Sequence, residues 1–318
     1  MKKVGMLLLK LLLSFTLIII IILAIFIRGD LELDHLIDKY TDSSSQFWEI
    51  KGIPFHVKIK GEGTPIILLH GSFSSLHTWE AWEEALSKKY KTISIDLPGH
   101  GLTGPDISLR YSSEDYAQLV FFLADQLKLE KFHIAGNSMG GGVGLVMAST
   151  HPERILSLNL INASGAPKDI LTVKNNQRPW IFKVAENPFL ASILLKCTPR
   201  FLFKMNLKQV FDDDSKISDE LIDRYYELIR REGNRKATLD RLQNRKSFSV
   251  DFEKLNMPVL IMWGKNDKWI SVKNAHLFSK VIPNAKLVIF EKVGHVPMEE
   301  IPTQSVAEYL EFLGSTNE

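Results

Sequence analysis

Residues 135–142 read AGNSMGGG. Ser138 stands among glycines directly after the apolar run Phe132–Ala135. That run reads as a buried strand, and Met139–Thr150 reads as a helix ended by His151-Pro152. The heart of the stretch, Gly136-Asn137-Ser138-Met139-Gly140, is a G-x-S-x-G pattern between strand and helix. In that context the serine sits on a sharp, strained turn, with its hydroxyl at the carboxyl edge of a sheet. Gly136 and Gly140 remove side chains that would clash in such a turn. Gly141 and Gly142 are expected to let the following helix pack closely on the sheet. The helix N-terminus favours developing negative charge. An unreactive Gly-rich turn would have the same local pattern, so the rest of the chain must decide.

Outward from this turn, short apolar strands alternate with helical periods. Upstream, FWEIKGIPFHVKIKGEG (47–63) reads as a β-hairpin, Ile66–Leu69 and Thr92–Leu97 as strands, and Leu76–Lys89 and Ser113–Lys128 as helices. Downstream come strands at Ile155–Ile161, Val259–Trp263 and Lys286–Phe290, with helices at Ser271–Val281 and Glu299–Leu313. The pattern predicts an α/β fold: a mostly parallel sheet with helices on both faces. Residues 166–256 lack clear strand signals and are too long for a structureless loop. Their helical periodicity predicts an inserted helical cap, opening on the aromatic stretch RPWIFKVAENPFLASILLKCTPRFLF (178–203). The core is then 47–165 plus 257–318.

The chain has 318 residues, a net charge of +2 and one cysteine. Charges are mixed and no basic block stands out, so no nucleic-acid partner is expected. One cysteine excludes an intrachain disulfide and a thiolate cluster; no metal or cofactor is expected. The N-terminus is the compositional anomaly. Residues 1–28 carry the uncharged apolar run Leu11–Ile27, near the ~17-residue minimum for crossing a bilayer. No A-x-A-like cleavage site follows, so an uncleaved transmembrane anchor is expected. Lys2, Lys3 and Lys10 precede the run, and Arg28 stands with Asp30, Glu32 and Asp34 after it. The positive-inside rule then puts the N-terminus in the cytoplasm and the main domain on the extracytoplasmic side of the cell membrane. Residues 29–46 read as an acidic linker, a tether holding the domain off the membrane.

A reactive serine needs a base, and the base needs an orienting acid; after a G-x-S-x-G elbow they follow in the order Ser, acid, His. His151 ends a helix and His276 falls inside one, whereas His295 lies in the Gly-His turn after strand Lys286–Phe290. Asp267 follows strand Val259–Trp263; the strand before the cap ends in neutral Asn162, and Asp212–Asp214 reads as solvated cap surface. The candidates are Ser138, Asp267 and His295. Oxyanion donors are expected from the amides of Met139 and of Ser72, with Phe73 the neighbouring alternative. His70 precedes the serine and reads as a residue holding that loop; Asp96 and His100 read as structural.

The motifs His70-Gly71, DLPGHG (96–101), GNSMGG (136–141), WGKND (263–267) and GHVPMEEIP (294–302) resemble the α/β-hydrolase superfamily from about Phe47 to Leu313. They look most like the serine-triad branch with a helical cap, bacterial lipases and esterases in particular. The resemblance implies a carboxylic-ester hydrolase acting through an acyl-enzyme on a small-molecule ester or lipid with an apolar acyl chain. Serine at 138 sets the chain apart from the dehalogenases and epoxide hydrolases that use aspartate there. Carbon–carbon bond hydrolases share GNSMGG and remain an alternative, as does a non-catalytic ligand-binding protein on the same fold.

Overall fold

The computed structural model describes residues 2–167, 184, 187–244, 247–283 and 285–316. Eight strands form one sheet in the order β1-β2-β4-β3-β5-β6-β7-β8. They are β1 (Ser45–Ile50), β2 (Ile53–Lys60), β3 (Pro65–Leu69), β4 (Lys91–Ile95), β5 (Phe132–Asn137), β6 (Ile155–Ile161), β7 (Val259–Gly264) and β8 (Lys286–Phe290). The β1–β2 hairpin and the β2–β4 pair are antiparallel; every later pair is parallel. Alternate residues of each parallel strand serve opposite faces. Ile67 and Leu69 join a core with helices α4 (Ser113–Gln126), α5 (Met139–Thr150) and α10 (Lys273–Val281). Ile66 and Leu68 join a second core, with Trp82 and Leu86 of α3 (Glu80–Leu86) and Tyr309 and Phe312 of α12 (Pro302–Ser315). Burial on both faces explains why these strands read as continuous apolar runs.

β3 lies between β4 and β5, so the direction of winding reverses beside it. The crevice beyond the carboxyl ends of β3 and β5 is therefore the topological switch point, where such sheets bind ligands. The segments carrying Ser72 and Ser138 leave the sheet there.

Between β6 and β7 the described residues form helices α6 (Pro188–Lys196), α7 (Arg200–Val210), α8 (Asp219–Ile229) and α9 (Asn234–Gln243). The opening of the aromatic stretch, residues 178–183, lies outside the described residues. Two helices differ from expectation. The helix expected at Leu76 starts as a 3₁₀ turn, Leu76–Trp79, before α3. The helix expected over Glu299–Leu313 is two: α11 (Pro297–Glu300) and α12, which has Pro302 in its first turn. Ile301 precedes a proline and so avoids the helical region, at φ −133°.

Helix α1 (Lys2–Ile25) is apolar on all sides: Leu7, Leu8, Leu9, Leu11, Leu12 and Leu13 are each more than half exposed. Among the described residues no helix is long and apolar enough to cross a membrane, so the expected transmembrane span is not shown. Residues 29–46, expected as an acidic linker, carry a helix that packs on the domain. Residues Leu33–Tyr40 form α2, with Leu36 fully buried against Leu102 and Leu228. Asp30 pairs with Arg235 at 2.6 Å, Lys39 with Glu227 at 2.8 Å, and Arg230 donates to the Gly29 carbonyl at 2.9 Å. Acidic composition hid the apolar stripe Leu33, Leu36, Ile37 and Tyr40, whose helical spacing is what docks the segment.

Candidate active site

Ser138 sits between β5 and α5 at φ 53° and ψ −112°. A non-glycine residue in that region is strained and persists only where its surroundings over-determine it. Here they do. Its amide donates to the Ile161 carbonyl at 2.9 Å, and its own carbonyl accepts from Gly142 at 3.2 Å and Ser164 at 2.9 Å. The turn is also closed by contact: a Cβ on Gly136 would stand 2.4 Å from the Gly140 carbonyl oxygen, and one on Gly140 2.2 Å from that of Leu69.

Asp267 and His295, from the loops after β7 and β8, meet at 2.7 Å between Oδ2 and Nδ1. A carboxylate only accepts, so Nδ1 carries the proton and Nε2 holds the lone pair of a general base. His295 Nε2 is buried and has no hydrogen-bond partner. The Asp267 carboxylate is fixed by three further donors: the Trp269 and Ile270 amides on Oδ1, at 2.7 and 2.9 Å, and Asn162 Nδ2 on Oδ2, at 2.7 Å. The Trp269 ring lies 5.4 Å from that of His295.

Ser138 is joined to this pair through its neighbour, since Asn137 Nδ2 donates to the His295 carbonyl at 3.0 Å. No hydrogen bond links Ser138 Oγ to His295 Nε2. The His295 main chain is tied down by two more bonds. Its amide donates to Val210 O at 2.7 Å, and the preceding Gly294 amide donates to Glu300 Oε2 at 2.7 Å.

The two oxyanion candidates are brought together as well: Ser72 Oγ lies 3.6 Å from Met139 Sδ. A Cβ on Gly71 would stand 3.1 Å from Ser138 Cβ, so the Ser72 segment lies against the serine. His70 holds that segment, donating from Nδ1 to Gly71 O at 2.7 Å and accepting the Leu97 amide on Nε2 at 3.0 Å. Complete burial pushes the His70 imidazole below its ordinary pKa, which suits one donating and one accepting nitrogen.

A second serine–histidine–aspartate line occurs elsewhere. Ser45 Oγ is 3.2 Å from His56 Nε2, and His56 Nδ1 is 2.7 Å from Asp96 Oδ2. It is a structural clasp. Asp96 also accepts the Leu76 and Leu102 amides, at 2.7 and 2.9 Å. Burial alone would raise this carboxyl; the His56 hydrogen bond leads the interactions that override that and hold it far below the usual range. Ser45 begins an outer strand, with no helix N-terminus behind it.

Asn162, Asn137 and Glu300 are the residues that sequence reasoning passed over. Asn162 was visible only as a neutral side chain where an acid could have stood; its φ of 46° is tolerable because asparagine accepts the left-handed region. Among the described residues no group of histidine, cysteine and acidic side chains is arranged to hold a metal ion.

A family model for the alpha/beta hydrolase fold matches residues 64–302, well over half of the chain. The chain belongs to the alpha/beta hydrolase family. Among the relatives of this alpha/beta hydrolase is Lipase 1 of Psychrobacter immobilis, 28% identical over 258 residues, covering 79% of this chain and 77% of the lipase. The acetyltransferase component of the acetoin cleaving system of Pseudomonas putida is 29% identical over 263 residues, covering 80% of this chain but only 65% of that longer protein. The crystal structure of a membrane phospholipase A superposes over 100% of both chains with a TM-score of 0.74 at 22% identity, a likeness of fold.

Proposed function

We propose that this alpha/beta hydrolase cleaves carboxylic esters with apolar acyl groups, with Ser138 as nucleophile. The observation carrying this reading is the buried Asp267–His295 pair, its Nε2 unpartnered, beside a serine held in a strained turn. His295 takes the Ser138 proton as Oγ attacks the ester carbonyl. The Met139 and Ser72 amides receive the oxyanion, and His295 then protonates the leaving alcohol. Water repeats the sequence and releases the acid; Asp267 keeps the imidazole oriented and stabilises its charge. An apolar cavity in the cap, lined by Leu195, Leu202 and Leu239 and by Phe73 of the loop after β3, supports an apolar acyl group. Lipase 1 supports ester chemistry.

The same proposal includes a membrane location: the apolar helix α1 is held in a lipid bilayer, with the N-terminus cytoplasmic and the main domain on the other side. Unpaired apolar surface on every side of α1 supports it, as does the lysine asymmetry around it.

The test is hydrolysis of p-nitrophenyl esters of graded chain length by the full chain, beside Ser138→Ala. We expect turnover that falls about 10⁴-fold or more in the variant. No turnover of any ester sinks the reading, and turnover of carbon–carbon substrates alone replaces it with the alternative chemistry. For topology, a reporter active only in the cytoplasm, fused after Glu318, should be silent.

A further inference from the structure

Among the described residues outside α1, exposed large apolar side chains include Ile107 and Leu109 in the loop after β4, Phe47 on β1, and four on two cap helices. Phe189 (72% exposed) and Leu190 lie on α6; Phe201 and Met205, one helical turn apart, lie on α7. Helix α1 joins the molecule at this same place. The Phe26 ring packs edge-on against Phe201 at 5.7 Å, Ile27 bridges to Cys197, and the Arg28 amide donates to Lys196 O at 2.9 Å. Arg28, Lys196 and Lys204 are exposed around the junction, with the exposed acids Asp30, Glu32 and Asp34 following in the chain. Leu195 of α6 and Leu202 of α7 also line an apolar cavity, together with Phe73 of the loop after β3. Phe73 packs edge-on to Trp269 at 6.2 Å, and Trp269 lies over His295. Outward-facing aromatics, the exit of α1, the cavity and the candidate base thus fall in one sequence.

Resting on the membrane-held esterase reading, we propose that the α6–α7 face of the cap docks into the interface of the bilayer that holds α1, and that the ester passes from that bilayer into the cavity. The occupant is a lipid surface because an apolar helix with no protein cover runs directly into the patch.

The experiment uses the full chain in vesicles of phosphatidylcholine and phosphatidylglycerol. An environment-sensitive dye is placed on Met205→Cys in a Cys197→Ser background, with Lys131→Cys, at the opposite edge of the sheet, as control. We expect a lipid-borne quencher to reach the dye at 205 and not at 131. A dye at 205 that lipid does not quench overturns the docking; if it is also shielded from a water-soluble quencher, a protein covers the face instead. In parallel, Phe189→Ser/Phe201→Ser/Met205→Ser should keep turnover of a soluble short-chain ester and lose at least about tenfold on a long-chain ester in vesicles. Equal loss on both substrates overturns delivery from the bilayer. Quenching at 205 with no ester hydrolysed at all overturns the esterase reading and leaves the docking standing.

Discussion

Asp267 Oδ2 receives two donors, His295 Nδ1 and Asn162 Nδ2, both at 2.7 Å. The asparagine therefore shares the oxygen that orients the candidate base. Replacing it with alanine removes one charge-assisted bond, and kcat on esters should fall about tenfold with KM little changed. Asn162→Asp sets a second negative charge beside the pair. An acceptor then faces Asp267 Oδ2 in place of a donor, so kcat should fall further than in the alanine variant. Steady-state kinetics of the two variants check both outcomes. Ser138, Asp267 and His295 could be picked from sequence because each follows a strand signal and the order is constrained. Asn162 could not, because its part depends on a partner 105 residues away, across β7, that no local pattern encodes.

Glu300, buried in the four-residue helix α11, links the cap to the His295 loop. Oε1 accepts the Asp212 and Asp213 amides at 2.9 and 2.8 Å, where the chain leaves α7, and Oε2 accepts the Gly294 amide. Glu300→Ala strands three amides, and should cost roughly 3 kcal/mol or more in urea unfolding while lowering kcat. Glu300→Gln restores part of the stability. Element types were readable from periodicity, and the break before Pro302 follows from its proline. The glycines of α5 were only partly readable. A Cβ on Gly141 would meet Ala163 Cβ at 2.5 Å and one on Gly142 would meet Ser164 Oγ at 2.4 Å, so these two admit the loop after β6. It is Gly144 whose Cβ would meet sheet residues, Ile134 and Leu158, at 3.1 Å.

Across the whole molecule, buried histidines set the response to acid. Burial holds His77 and His133 at about 4, and His70 and His100 also lie below the ordinary value. The folded state then binds fewer protons than the unfolded chain between about pH 6.5 and 4, so stability falls as pH drops through that window. Below it Asp96 and Asp106, both held low, add to the loss. Glu83, raised by burial, acts in the opposite sense and is outnumbered. Thermal unfolding should show a falling midpoint from pH 7 to pH 4; a flat midpoint contradicts the assignment. At this scale the sheet and its two covered faces were legible, because burial leaves continuous apolar runs. The docking of residues 29–46 was not, since an acidic helix with a narrow apolar stripe has the composition of a tether. That docking makes the N-terminal helix and the cap a single lever. Any thrust or pull on α1 reaches Arg230 and Arg235 through Gly29 and Asp30 before it reaches the sheet. The segment after α1 is thereby tied to Arg235, a residue that itself borders the cavity.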